Sequence, residues 1–460
     1  MSSLSETQEE IFDYYKNGEN VFITGPGGCG KSHLLKYIIQ HAKANGVKIS
    51  VCAMTGCAAI LLGNGAKTIH SWAGIGLAKG EDNVIVTRII SNKYKKANWL
   101  KTDVLIIDEV SMMSKRMIEL LDQIGKRVRK NTKPFGGIQL IFSGDFYQLP
   151  PVNKVIENKD ETAFCFESYI WDETFDCQVL LDEVFRQKDQ KYIDLLHKIR
   201  DGTLYKADVM LLRTRLIKNL GFEDENDIQH NGTKPVKLLP VKYAVNEINQ
   251  REMNKIKDVE IIHKYTSEYE VPEALETLAS FKKPTAKQLE MEEKFIANNS
   301  LFEEELILKV GSQVMCIANI DMDVGLCNGS TGVITEFKGE HKNPVVKFSN
   351  GLIKEISRHA WVSETFPGFK VSQYPLILAW AVTIHKSQGA SLDSAEIDIG
   401  NNIFASGQTY VALSRVKSLD GLYLRSFNHN KIKTCEKVVK FYEKFYEEVD
   451  DENDTPDTSV

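Results

Sequence analysis

The octapeptide GPGGCGKS, Gly25 to Ser32, constrains the fold of this chain more than any other feature. It satisfies the spacing G-x-x-x-x-G-K-[ST] and falls where the chain changes period. The apolar run Val21–Thr24 leads into it, and an amphipathic helical pattern, Ser32–Ala44, leaves it. A strand, a glycine loop and a helix in that order let backbone N–H groups close around phosphate oxygens, with the helix N-terminus adding its positive dipole end. Gly25, Pro26, Gly27, Gly28, Cys29 and Gly30 then form the cradle, Lys31 reaches the β- and γ-phosphates, and Ser32 ligates Mg²⁺. The flanking strand and helix separate this reading from a glycine turn before an ordinary helix.

Two more strand ends carry chemistry. VLIIDEVSMM places Asp108 and Glu109 at the end of an apolar run. Taken alone such a pair is a common polar strand end. Beside a phosphate loop in the same sheet, Asp108 can complete the Mg²⁺ shell and Glu109 can polarise the attacking water. QLIFSGDFYQLPPV reads as a strand, a Gly-Asp turn and then Gln148, placed to sense a γ-phosphate. Arg186 in DEVFRQ and Arg415 in YVALSRVKS could supply transition-state charge, although composition alone does not set them apart from surface arginines.

The first 200 residues alternate strand-like runs (Val21–Thr24, Val47–Ala53, Val104–Ile107, Gln139–Ser143, Gln178–Leu181) with helical patterns at Ser32–Ala44 and Lys115–Val128, which predicts a parallel sheet covered on both faces. Residues 76–100 interrupt the alternation with a Lys-rich stretch, and residues 263–305 are charged and irregular. A β-rich, glycine-punctuated region follows, with hairpin signals at Asn328-Gly329 and Asn350-Gly351, and predicts a small antiparallel barrel. After Pro375 the spacing of Leu376, Ile377, Trp380, Ala381 and Ile384 predicts a helix.

A chain of 460 residues exceeds one compact domain, and 42% hydrophobic with 26% charged residues excludes fibrous and wholly disordered classes. The longest apolar run, Leu376 to Ile384, falls well short of the ~20 residues a membrane span needs. The polar, acidic N-terminus carries no recognisable targeting signal, so a soluble intracellular protein is expected. Cys29, Cys52, Cys57, Cys165, Cys177, Cys316, Cys327 and Cys435 form no C-x-x-C pair and read as reduced thiols. The net charge of −6 resides in the acidic tail from Glu447 onward, so the body is near neutral and a local basic groove is permitted.

Taken in order, GPGGCGKS, AMTGCAAI, KTIHSWAGIG, LIIDEVSMM, KPFGGIQLIFSGDFYQLPPV, VFRQ, LAWAVTIHKSQGAS and GQTYVALSRV resemble superfamily 1, subclass B DNA helicases. Within that class the chain resembles the petite-integration-frequency (Pif) family, related to RecD and Dda helicases. The resemblance runs from about Leu4 to Leu424. It implies an α/β fold: two RecA-like P-loop domains with a small wedge subdomain and an inserted small antiparallel β-barrel. The expected division puts residues 1–75 and 101–200 in the first RecA-like domain, 76–100 in the wedge, and 201–263 with 373–448 in the second. It makes 264–305 a charged insertion of open role, 306–372 the barrel and 449–460 a disordered acidic tail.

The resemblance also implies roles. Gln8 contacts adenine, Gln148 senses the γ-phosphate, Arg186 and Arg415 reach it from opposite sides of the domain cleft, and Gly389 touches the phosphates from the second domain. Thr55, Gly56, His70, Ser71, Trp72, Thr383, His385 and Lys386 fall in motifs that contact single-stranded DNA. The small and hydroxyl residues suit phosphates, while His70 and Trp72 offer stacking faces. Cys29 stands where relatives often carry Thr or another small residue.

The function so implied is an ATP-dependent DNA helicase, using ATP and Mg²⁺, that moves 5′ to 3′ on single-stranded DNA and opens forked duplex in replication, repair, recombination or G-quadruplex maintenance. The direction comes from the resemblance alone. A RecD-like subunit of a repair complex and an ATP-gated DNA-binding module are the alternatives. Glu109 and both arginines weigh against the second, since a pure binder needs no hydrolytic base. A monomer without membrane partner is expected, acting in a nucleus or at a viral replication site.

Overall fold

Six parallel strands carry the phosphate loop. The computed structural model describes residues 4–63, 65–76, 78, 80–151, 162–222, 228–230, 234–271, 283–300, 302–321, 324–363 and 366–453. The strands are β1 (Val21–Thr24), β2 (Ile49–Ala53), β3 (Lys67–Thr68), β4 (Val104–Asp108), β5 (Gln139–Ser143) and β6 (Cys177–Leu180), in spatial order β3-β2-β4-β5-β1-β6. β1 and β4 are buried along their whole length, which is why they read as unbroken apolar runs rather than alternating ones. The helix Lys31–Ala44 covers one face with Leu34, Leu35, Ile38 and Ile39. Lys115–Arg129 covers the other with Ile118, Leu121 and Ile124, capped by the Ser114 side chain.

A second, four-stranded parallel sheet holds Ala381–Thr383, Val236–Leu239, Ala395–Ile399 and Leu422–Phe427 in that order. These are the two RecA-like units. Between Val236–Leu239 and Ala381–Thr383, the first two of these strands in sequence, the chain inserts antiparallel structure. One sheet contains Gln313–Cys316, Thr331–Lys338, Asn343–Phe348 and Ile353–Glu355, and another contains His359–Val362, Phe369–Gln373 and Thr266–Tyr269.

Four expectations need correction. Leu376–Ile384 is not a helix: Leu376–Leu378 pairs antiparallel with Gln313–Cys316, and Ala381–Thr383 joins the second parallel sheet. The segment is buried on both faces, so a strand pair and a buried helix leave the same apolar spacing. The expected barrel, 306–372, therefore extends to Leu378. The stretch 264–305 is not separate from it, because Thr266–Tyr269 pairs with Phe369–Gln373. The C-terminus is the largest change. Glu436–Asn453 is one helix, and its Val438, Tyr442 and Phe445 enter the core of the first domain, not the second. Residues 449–453 are thus helical, and 454–460 lie outside the described residues.

The stretch expected as a wedge contains two helices, Asp82–Ser91 and Lys93–Lys101. Ile85, Val86, Ile89 and Trp99 join the core of the first domain, and Arg116 clamps Asp82 at 2.7 Å. Trp99 packs on Trp72 with ring centroids 4.6 Å apart and donates its indole N–H to the Ala73 carbonyl at 3.3 Å. Trp99→Ala should therefore destabilise the first domain by about 3–5 kcal/mol. A shifted urea midpoint with unchanged slope is the measurement, and an unshifted midpoint would refute the packing argument.

Candidate functional site

The phosphate loop lies at the carboxyl end of β1, where open parallel sheets bind ligands. Its backbone demands glycine: Gly28 has φ +97°, and a Cβ there would come within 2.6 Å of Arg186 Cβ. Lys31 Nζ donates to the carbonyls of Gly25 (2.6 Å) and Pro26 (3.0 Å) and lies 3.5 Å from Cys29 Sγ. The Gly27 N–H donates to the phenol of Tyr410, from the second domain, at 2.8 Å. Donors that a phosphate would take up are thus paired inside the protein, and an incoming nucleotide must displace Tyr410. Ser32 is exposed at the first turn of its helix.

Asp108 ends β4, and Glu109 follows in the left-handed region at φ +59°, its N–H donating to Asp108 Oδ1 at 2.9 Å. Withdrawal from water raises both carboxyls above their ordinary range. Glu109, also facing the Asp108 charge, is pushed up to about 7. A carboxylate made that basic is suited to take a proton from water.

The two arginines meet at the same loop, Arg186 from the segment after β6 and Arg415 from the second domain. A Cβ on Gly27 would lie 3.3 Å from Arg415 Nη2 and 3.6 Å from Arg186 Nη1. Arg186 donates to the Ser414 carbonyl at 3.1 Å, and Arg415 to Ser414 Oγ at 2.8 Å and to the Val411 carbonyl at 2.9 Å. Burial disfavours the charge on both, and for Arg415 the neighbouring Arg186 adds to it. An anion between them relieves both costs.

Gln148 is buried and donates to Asp145 at 3.3 Å. Gln8 accepts the Ser5 N–H in a capping box, and its Nε2 lies 2.6 Å from where a Cβ on Gly30 would sit, beside the Phe185 ring. A cavity of 40 Å³ is lined by Ser32, Thr55, Asp108, Glu109, Gln388 and Gly389. Gln388 brings a buried Nε2 that has no hydrogen-bond partner among the described residues. These residues fit ATP and Mg²⁺: the loop and Lys31 would hold the phosphates, and Ser32 with Asp108 would supply oxygen ligands. Such a sparse protein set suits Mg²⁺, which keeps waters and substrate phosphates in its shell.

The residues expected on the DNA strand are scattered over both domains. Thr55 caps the helix Gly56–Leu62, its hydroxyl accepting the Ala58 N–H at 3.2 Å, and lies in the nucleotide-side cavity. Gly56 lines a separate cavity of 90 Å³ with Thr68, Phe295 and Trp361, between the first domain and the antiparallel insertion. His70 and Ser71 are half-buried on the short helix Ile69–Trp72. Trp72 corrects the sequence reading: only 4% exposed against Trp99, it offers no free face for a base. In the second domain Thr383 Oγ1 accepts the Lys386 N–H at 3.1 Å, and Lys386 Nζ lies 3.5 Å from Glu303. His385 lies nearly parallel to the exposed Phe404, centroids 6.2 Å apart. Tyr410, Ser414 and Phe404 were missed in the sequence. The motif GQTYVALSRV contains Tyr410 and Ser414, but no local pattern tells a phosphate-loop partner from helix packing.

A glycine cradle, a carboxylate pair and two arginines beside that cradle, one of them from the second parallel-sheet unit, define a two-domain P-loop protein of the RecA-like kind. Residues 3–209 match the family described as PIF1-like helicase, and residues 293–337 match the 2B domain of DNA helicase Pif1. The chain belongs to the PIF1-like helicase family. It is similar to the ATP-dependent DNA helicase PIF1 of Danio rerio, 34% identical over 97% of this chain and 64% of that protein. It thus spans less than two thirds of that curated relative. The crystal structure of Pif1 helicase from Candida albicans covers 97% of this chain and 100% of its own at 34% identity and a TM-score of 0.71. Pif1 helicase from Bacteroides in complex with ADP-AlF3 and ssDNA covers 97% and 98% at 28% identity and 0.63. The 2B match takes in the second half of the helix Ala286–Asn299, so the charged stretch of open role lies partly within that domain.

Proposed function

We propose that this chain is an ATP-dependent DNA helicase that moves 5′ to 3′ on single-stranded DNA and opens forked duplex, with Mg²⁺ at Ser32 and Asp108. The observation that carries this reading is the approach to Gly27 of both Arg186, beside the phosphate loop of the first domain, and Arg415, from the second domain. A nucleotide site completed by both domains makes cleft closure and ATP hydrolysis one event, which is what a translocating motor requires. The names of the relatives, and a solved relative holding both ADP-AlF3 and ssDNA, support the same reading. Among the described residues no helix is long and apolar enough to cross a membrane.

In this mechanism Lys31 and the loop hold the phosphates, Glu109 takes the proton of the attacking water, and Gln148 reports the γ-phosphate. Arg186 and Arg415 stabilise charge in the transition state. Thr55, Gly56, His70 and Ser71 on one domain, with Thr383, His385 and Lys386 on the other, would hold the strand, so DNA favours the closed cleft by population shift.

Turnover of ATP is therefore expected to be low alone and to rise about tenfold or more with single-stranded DNA. Strand affinity should fall steeply between 50 and 200 mM salt as counterions are released. Duplexes with 5′ tails should open in ATP and Mg²⁺ while 3′-tailed and blunt ones stay paired. Opening of the 3′-tailed duplex alone would reverse the direction. DNA-independent turnover at full rate would remove the coupling.

A further inference from the structure

The last helix of the chain reaches into the ATP site. Tyr442 stands on Glu436–Asn453, yet its phenol oxygen hydrogen-bonds Thr24 Oγ1, immediately before the phosphate loop, and accepts the N–H of Phe146 at 3.2 Å. Phe146 belongs to the turn Asp145–Gln148 that ends in the proposed γ-phosphate sensor. One hydroxyl thus ties two strand ends of the nucleotide site together. Burial holds that phenol protonated.

Arg200 completes the arrangement. Its guanidinium lies against the rings of Tyr147 and Tyr442, 4.3 and 5.0 Å from their centroids, and forms an ion pair with the fully buried Asp145 at 3.1 Å. Asp145 in turn accepts from Gln148 Nε2 at 3.3 Å. Tyr147 and Tyr442 are themselves stacked, centroids 4.7 Å apart at 21°. From the other side Gly407 of the second domain abuts the sensor: a Cβ there would fall 2.2 Å from the Gln148 carbonyl oxygen. The Thr434 hydroxyl, on the segment leading into the last helix, donates to the Arg200 carbonyl at 3.2 Å. A loop that only closed a strand would need none of these partners. Here one turn is held by a buried ion pair, two aromatic faces and a helix that begins about 290 residues later in the chain.

We infer that Tyr442 and Arg200 are positioning residues for ATP hydrolysis, fixing the turn that carries Gln148, Tyr442 through the Phe146 N–H and Arg200 through Asp145, and thereby making the helix Glu436–Asn453 part of the nucleotide site. The inference rests on Gln148 being the γ-phosphate sensor. Neither Tyr442 nor Arg200 touches the nucleotide in this account; they set the angle at which the sensor meets it.

The test compares Tyr442→Phe, Gln148→Ala, the double variant, and Val438→Ala as a control for packing in the same helix, since Val438 is buried in the same core. DNA-stimulated ATPase rates and thermal unfolding are measured for each. Tyr442→Phe keeps the ring over Arg200 and removes only the hydroxyl. It should lower kcat about tenfold with KM for ATP within about twofold, and should cost nothing further in the Gln148→Ala background. Val438→Ala should lower the unfolding temperature at least as much and leave kcat near wild type. Wild-type turnover by Tyr442→Phe beside an impaired Gln148→Ala overturns the positioning role alone. So does a Tyr442→Phe loss that adds fully to that of Gln148→Ala, or equal kcat losses in Tyr442→Phe and Val438→Ala. Full turnover by Gln148→Ala removes the sensor itself, and the inference with it.

Discussion

Replacing Glu109 with glutamine is expected to lower DNA-stimulated ATP turnover by about 10²–10⁴-fold while nucleotide affinity stays within about threefold. The amide keeps the size and the left-handed backbone at this position but cannot take a proton. Asp108 is left in place as a ligand. Lys31→Ala should differ in kind, losing affinity together with turnover, because it removes the charge facing the phosphates. Titration with a fluorescent ATP analogue and single-turnover hydrolysis separate the two outcomes. Near wild-type hydrolysis by Glu109→Gln would show that the base lies elsewhere.

Arg415→Ala should be comparably severe. An arginine delivered to the transferred phosphoryl group contributes about 10³–10⁵ in kcat in related chemistry. Arg415 reaches the phosphate loop from the second domain and is held in place by Ser414 and Val411. The variant should keep single-stranded DNA binding, because Thr383 and Lys386 lie on other segments, and should lose translocation. Arg415→Lys should recover little, since a point charge on a flexible stem cannot reproduce the planar fork. A lysine variant with more than half the wild-type rate would argue that only charge matters here. Arg186→Ala tested beside it would show whether the two guanidiniums act as a unit, in which case their losses will not add.

The residues that the structure gathers at the candidate nucleotide site were legible in the sequence because their motifs are local. The loop Gly25–Ser32 is contiguous, and Asp108, Glu109 and Gln148 each follow a strand whose apolar run is unmistakable. Strands β1 and β5 begin and end at the residues the pattern indicates. Arg186 and Arg415 needed the family resemblance, since nothing near either arginine in sequence shows that both approach Gly27. Trp72 misled for the opposite reason: a tryptophan in a DNA-contact motif reads as a stacking face until Trp99, 27 residues on, is seen against it. Leu376–Ile384 failed because a segment buried on both faces leaves no period to read. The C-terminal helix was invisible as part of the first domain. Its apolar face could be read, but the surface it covers was not a local property of the chain.

That helix has a consequence for how the protein is made. Phe22, Phe146 and Trp171 belong to the N-terminal half, yet the aromatic cluster they form is completed by Phe441 and Tyr442. A ribosome synthesising about 5–20 residues per second needs on the order of tens of seconds between β6 and that helix. During that interval the aromatic flank that Phe441 and Tyr442 cover has no partner from that helix. The nascent chain therefore cannot finish the core of its first domain before the helix Glu436–Asn453 has left the exit tunnel. A truncation that removes Glu436–Asn453 would leave the strands of the second sheet whole and uncover the core of the domain that holds the phosphate loop.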